Sequence, residues 1–325
     1  MQKSAAKPVT KKVSVIIFNY NGMGFVDKCV ENILSQDYQD FDLFMLDNGS
    51  TDGSDTYIMS RYPRVKIIKI ANNCGIAKAS DVAFSQMKTP YIISVHNDVF
   101  LRQGWIREMV RALDKAPENT GAIEGEILQE GKPLSAGEVN IFLTSHKGDF
   151  PTEVLYPATG NMIFKNVRSN YIDHDYFFYY DDLYFGLMLR FSGYNILKNR
   201  NAISDTQGTR SETTMEIKKR NQFYSERNRH LVFLTFFSRG TIAKLLPWYW
   251  LYAITNIGIL KTQNRWKLVP WLKAYFWILT HTGTILKKRK YVQSQKRIDD
   301  SEILKYLTGG TRFGKLTWYR KALGL

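Results

Sequence analysis

The segment VSVIIFNYNG, residues 13–22, opens with a run of β-branched and aromatic residues and stops on two asparagines and a glycine. A continuous apolar run of this length, closed by turn residues, reads as an apolar strand over 13–20. Working outward, residues 25–36 follow with helical character, and DLFMLDN (42–48) is a second strand with a short helix at 54–61. VKIIKIA (65–71) is a third strand ahead of a helical stretch at 75–86, and YIISVHND (91–98) a fourth ahead of a helix at 105–115. Strand and helix alternate at βα spacing, which predicts an α/β fold: a mostly parallel sheet flanked by helices on both faces. From 121 to about 205 the pattern becomes mixed. It includes DDLYFGLMLRFSGY (181–194), a helix placing Leu183, Leu187 and Phe191 on one face.

The chain has 325 residues, 44% of them hydrophobic, enough for one large or two moderate cores. From residue 217 onward 22 Lys/Arg stand against 4 Asp/Glu, whereas the part before it holds 23 against 26. A near-neutral front therefore carries a strongly basic rear, which implies an anionic partner, either nucleic acid or lipid. Cys29 and Cys74 are the only cysteines, too few for a disulfide framework or a metal cluster of that type. The stretch MQKSAAKPVTKK (1–12) reads as a basic tail with no apolar region long enough for a cleaved secretory signal. These shifts divide the chain into the tail (1–12), an α/β part (13–215, with halves 13–115 and 116–215) and a helical, basic, aromatic-rich part (216–325).

Three of the strands end in polar clusters: Asn19-Tyr20-Asn21-Gly22, Asp47-Asn48-Gly49-Ser50-Thr51-Asp52 and His96-Asn97-Asp98. Each alone is also what a turn or a helix cap requires. Together, at the ends of successive parallel strands, they predict one ligand crevice, because such sheets hold ligands outside their carboxyl ends. A dinucleotide fingerprint is missing after the first strand, where Asp27 takes the place of the third glycine. GGTRFGKL (309–316) only approximates a phosphate loop, with Leu316 where a hydroxyl is needed, and reads as a basic tail segment.

SVIIFNYNG, LDNGSTDGS, NNCGIAKASDVAFSQ, SVHNDVFL, ATGNMIFKN and FFYYDDLYFGLMLRFSGY occur in that order and resemble the successive motifs of inverting family-2 glycosyltransferases. The likeness covers about residues 13–230 and is nearest in flavour to rhamnosyltransferase-like members. It implies a GT-A-type, Rossmann-like fold. It also implies a nucleotide-sugar donor (UDP-, dTDP- or GDP-linked) held by Asn19, Tyr20, Asn21, Asp47, Asn48, Gly75, Lys78, Asn97, Gly160 and Asn161. In that family Asp47 accepts a hydrogen bond from the base. His96-Asn97-Asp98 stands at the DxD-like element, so Asp98 would bind a divalent cation, Mg²⁺ or Mn²⁺. His96 replaces the usual acid or amide there, and Asp205 falls where a histidine is common; both are further candidate ligands. Asp181-Asp182 matches the acidic pair whose second member is the catalytic base. Asp182 would thus take the acceptor's proton while Asp181 supports it. Both acids also suit a helix N-terminus. The function implied is inverting transfer of a sugar to a hydroxyl of a lipid-linked or polysaccharide acceptor. A non-catalytic relative that binds nucleotide or anionic membrane is the other reading, and the retention of Asp47, Asp98 and Asp182 favours the enzyme.

In the rear, LLPWYWLYAITNIGIL (245–260) and LVPWLKAYFWILTHTGTIL (268–286) fall slightly short of the 20 or so apolar residues a spanning helix needs. Lysines and arginines flank every end, so two spans would leave one basic cluster on the disfavoured side. Helices lying in the interface satisfy all the flanks, with Trp and Tyr at headgroup level. The alternative is an ordinary helical subdomain with an aromatic core. No nucleic-acid motif accompanies the basic residues. The expectation is a peripheral protein on the cytoplasmic, inner face of the cell membrane.

Overall fold

The computed structural model describes residues 11–134, 138–140, 145–146, 153–167, 173–208, 214–262 and 265–308. The phosphate-loop-like stretch 309–316 and most of the basic N-terminal tail lie outside the described residues.

The front half follows the βα alternation. Strands β1 (Val13–Asn19), β2 (Phe41–Asp47), β3 (Lys66–Lys69) and β4 (Tyr91–His96) are interleaved with helices α1 (Val26–Leu34), α2 (Ser54–Arg61) and α3 (Ile76–Ser85). They lie in the order β3-β2-β1-β4, all parallel. After β4 the chain turns at Asn97-Asp98 into a short strand β5 (Val99–Leu101) and helix α4 (Trp105–Lys115). The second half adds β6 (Thr120–Gln129), the short β7 (Lys132–Pro133), β8 (Glu138–Asn140) and β9 (Ser145–His146), then β10 (Asn161–Lys165), helix α5 (Asp181–Phe191) and β11 (Asn195–Thr206). β10 runs antiparallel between β4 and β6, and β11 pairs parallel to β6 and antiparallel to β5. The sheet is thus parallel where the nucleotide half was expected and mixed beyond it.

Both faces of the sheet are covered. Along β1, Val13, Val15 and Ile17 join one core with α1 and α4, while Ile16 and Phe18 join the other with α3 and α5. That alternation is the two-residue period of a strand buried on both sides. In α1 the buried positions Val26, Cys29, Val30 and Ile33 follow the i, i+3, i+4, i+7 stripe of a one-faced helix.

α5 is different. The expected single apolar face, Leu183, Leu187 and Phe191, is buried, but so is every other residue of the helix except Asp182, which is half-buried. The reason is a second cover. Helices α6 (Met215–Phe236), α7 (Arg239–Thr262), α8 (Leu268–Thr280) and α9 (Thr282–Ser294) follow, and Leu231, Phe236, Tyr249, Ile285 and Val292 belong to the same core as α5. The basic rear therefore shares a core with the α/β part. The second apolar stretch is broken at His281 between α8 and α9, and α7 contains Pro247. Among the described residues no helix is long and apolar enough to cross a membrane.

Lys198 on β11 is buried beside two carboxylates, 3.3 Å from Glu124 and 3.3 Å from Glu126. Burial pushes the Glu124 carboxyl up against the pull of Lys198. Removing one partner of such a group leaves an uncompensated buried charge. Lys198→Ala is expected to lose about 3–5 kcal/mol of stability in chemical denaturation at neutral pH.

Candidate active site

The register of the parallel strands sets the first half of the site. Asn19 is opposite Asp47, and Phe18 is opposite His96, so the polar ends of β1, β2 and β4 share one edge. Asn19 ties them together. Its buried amide nitrogen donates to Asp47 Oδ1 (3.0 Å) and to Ser54 Oγ (2.9 Å), and its oxygen accepts from Asn97 Nδ2 (2.8 Å). Asp47 also accepts from the Ser50 hydroxyl and from its backbone N–H (3.1 Å). A buried carboxylate is tolerated when its oxygens are occupied in this way. Asn21 accepts from Thr51 N (2.8 Å) and donates its own N–H to Ser50 Oγ (2.9 Å), while Tyr20 stands exposed between them. Asn48 accepts from Cys74 N (3.1 Å), which fixes the segment leading to Gly75 at the head of α3; Lys78 lies exposed one turn on.

The second half joins at His96. Its N–H donates to the Gly160 carbonyl (3.1 Å), and a Cβ at Gly160 would lie 2.5 Å from the His96 ring, so no larger residue fits. The neighbouring Thr159 donates both its N–H (3.1 Å) and its hydroxyl to Asp182 Oδ1. Ala158 N in turn donates to the buried Glu124 (2.9 Å). A continuous path of contacts thus runs from Asp47 through Asn19, Asn97, His96 and the 158–160 segment to Asp182.

Asp181 and Asp182 open α5. Burial pushes the Asp182 carboxyl up even though Thr159 and the charge of His96 pull it down. Asp181 is pushed well above the usual carboxylate range, by burial first and then by Asp182. Asp98 follows Asn97 in the β4–β5 turn, half-buried, and its charge adds to the burial that raises the Cys29 thiol. His96 Nε2 is buried without a hydrogen-bond partner.

Two of the expected residues are not gathered here. Asn161 is wholly buried, its oxygen accepting from Ser204 Oγ (3.0 Å), so it ties β10 to β11. Asp205 is gripped by Arg102 through both oxygens, at 2.7 and 2.9 Å. Among the described residues there is no group of three or more His, Cys, Asp or Glu suited to a metal. Mg²⁺-like cations commonly take one or two carboxylates and fill the rest with phosphate and water, and Asp98 fits that mode.

Sequence reading gave no site role to Thr159 or Asn228, and it placed Gly22 in the first polar cluster without a role of its own. A Cβ at Gly22 would fall 2.0 Å from Asn97 Nδ2 and 2.2 Å from Asn19 Oδ1, so the backbone passes where only glycine lets the pair form. Gly22 was visible as a turn glycine, and Thr159 as the residue before the Gly160 motif. Asn228, on α6, reaches the site from outside every motif.

Polar strand ends gathered at the carboxyl edge of a parallel sheet, with an acid pair at a helix N-terminus linked to them, match the fold of GT-A glycosyltransferases. The chain is similar in fold to Staphylococcus aureus TarS (residues 1–349; TM-score 0.55, 14% identity, 90% of this chain and 89% of that one). It is likewise similar to a mannosyltransferase from Pyrobaculum calidifontis solved with GDP-Man and Mn²⁺ (TM-score 0.50, 15% identity, 91% and 85% covered). Residues 14–167 match the family described as Glycosyl transferase family 2. Over 111 residues it is 30% identical to the glycosyltransferase GlyG of Streptococcus pneumoniae, covering 33% of this chain and 36% of that protein. Over 92 residues it is 36% identical to a chondroitin synthase of Pasteurella multocida, 27% of this chain and 9% of that protein. The chain thus aligns with only about a third of the first of these and a tenth of the second.

Because Asp181 is more easily protonated folded than unfolded, its ionisation favours the unfolded chain. That penalty is absent below the unfolded pKa of about 3.9 and grows as pH rises above it. Asp181→Asn is expected to melt at a higher temperature than the natural protein at pH 7, with the difference vanishing towards pH 4.

Proposed function

We propose that the protein is an inverting glycosyltransferase that moves a sugar from a nucleoside-diphosphate donor to a hydroxyl of a lipid-linked or polysaccharide acceptor. The observation that carries this reading is Asp182: a carboxylate oriented by Thr159, raised by burial, and linked through side chains and backbone to the edge that holds Asp47. The donor's base sits over the Asn21 and Asp47 strand ends, with the diphosphate towards Asp98. Structural relatives solved with UDP-GlcNAc and with GDP-Man support this donor class. The acceptor oxygen attacks the anomeric carbon as the bond to the diphosphate breaks, and its proton passes to Asp182. A carboxyl pushed up towards neutral pH is the better base for such a proton. Burial and its neighbour push the Asp181 carboxyl up, which lessens charge repulsion on the base. Asp98 would hold the divalent cation, with His96 beside it; such an ion offsets the negative charge of a departing diphosphate. The relative solved with Mn²⁺ agrees with a cation of this kind.

The reading extends to location, the anionic inner face of the cell membrane. Val269, Leu272, Phe276 and Leu279 of α8 are all more than half exposed, and so is Leu286 of α9. Within α8 the spacing of three, four and three residues places the first four in one stripe, and Leu286 follows beyond the break at His281. Residues 265–296 hold eight Lys/Arg and no Asp or Glu. A second copy set against this face would bring cations together without an acid between them, whereas anionic lipid complements both the charge and the apolar stripe.

Asp182→Asn is expected to slow transfer by roughly 100- to 10,000-fold while the donor still raises the melting temperature; unchanged turnover would refute the base assignment. For the location, the protein should float with vesicles rich in phosphatidylglycerol at low salt. A Leu272→Glu/Phe276→Glu variant should stay at the bottom, and a natural protein that stays there too would overturn the membrane reading.

A further inference from the structure

The turn that delivers the acid pair is strained. Tyr179 and Tyr180, immediately before Asp181, both have left-handed backbones, with φ of 66° and 67°. Two successive aromatic residues adopt that region only where the surroundings impose it. The imposing group is on α6. Asn228 is completely buried, and its amide nitrogen donates to the carbonyls of Phe178 (2.9 Å) and Tyr179 (2.8 Å). Its oxygen is filled by Arg227, which donates from Nε (3.0 Å) and Nη2 (2.8 Å). Arg227 also donates to the Asp175 carbonyl, and its guanidinium lies 5.0 Å from the centre of the Trp277 ring on α8. Lys288 on α9 pairs with Asp173 (2.6 Å) and Asp175 (2.8 Å). On the opposite side the Phe177 carbonyl accepts from Ile76 N at the head of α3 (3.0 Å).

We propose that Arg227 and Asn228 are positioning residues for the base: by gripping the backbone of residues 175–179 they hold the left-handed turn that aims Asp181 and Asp182 into the crevice. Neither touches the reacting atoms; they act through the turn. Asn228 suits this task because an amide offers two donors to the two carbonyls and one acceptor to Arg227. This rests on the glycosyltransferase reading above and adds the device that orients its base.

The test uses the full-length protein and two variants, Asn228→Asp and Asn228→Ala. Asn228→Asp keeps the shape and the bond to Arg227 but replaces the donors with an oxygen. A screen of UDP- and GDP-sugars by thermal shift selects the donor, and release of nucleoside diphosphate is then followed. Both variants should lose about 100-fold in kcat with the donor dissociation constant changed less than two-fold, a split that general destabilisation would not produce. Adding Tyr179→Gly to Asn228→Ala should restore about ten-fold, since glycine holds a positive φ without the clamp. Wild-type kcat in Asn228→Asp, or loss confined to donor binding, would overturn the proposal; a natural protein that binds and turns over no sugar nucleotide would instead overturn the function it rests on. Crystal structures give a reading independent of activity. In Asn228→Ala, Tyr179 and Tyr180 should leave positive φ and the Thr159–Asp182 bond should open, and an unchanged turn there refutes the clamp.

Discussion

One buried amide holds the site in register. The sheet brings the ends of β1, β2 and β4 to a common edge, but strand pairing fixes only backbones; the loops beyond are free to diverge. The Asn19 side chain removes that freedom by spending its donors on Asp47 and Ser54 and its acceptor on Asn97. An amide carries two N–H donors and an acceptor oxygen on one short side chain. A leucine of similar size would fill the space and leave Asp47 without that donor. The glycine at position 22 belongs to the same constraint, because any side chain there would occupy the volume of the pair.

The second constraint is burial at α5. A helix carrying two adjacent acids at its start would normally face solvent, where both ionise and each gains from the helix dipole. Here α6 and the helpers behind it cover the face the sheet leaves open, so the acids sit in a poorly solvated place and hold their protons more tightly. Stability is given up locally, because both carboxyls are harder to ionise folded than unfolded. The same cover explains why the basic rear is more than an appendage. Its helices complete the core around α5, and Arg227, Asn228 and Lys288 reach from it to the segment that precedes the acids.

Much of this was legible in the chain. The four parallel strands, their helices and the polar residues at their tips follow from local patterning, because a strand buried on both faces is nearly all apolar and its carboxyl end is where that pattern breaks. The acid pair at 181–182 stood out for the same reason, two charges at the head of an apolar helix. Asn161 and Asp205 were chosen because their residue types suit a crevice. Only the sheet shows that one bonds inward to Ser204 and that the other is taken by Arg102, 103 residues away. The short β5 was not legible either, as three apolar residues carry no periodicity of their own.

The sequence by itself determined which residues are strand, helix and tip, and that the rear is cationic and aromatic, because these depend on neighbours a few positions apart. The tertiary structure alone decided that α5 is enclosed, that Thr159 grips Asp182 and that Asn228 bends the turn before it. Those outcomes come from hydrogen bonds and burial between segments far apart in the chain, whose meeting depends on how the whole core closes.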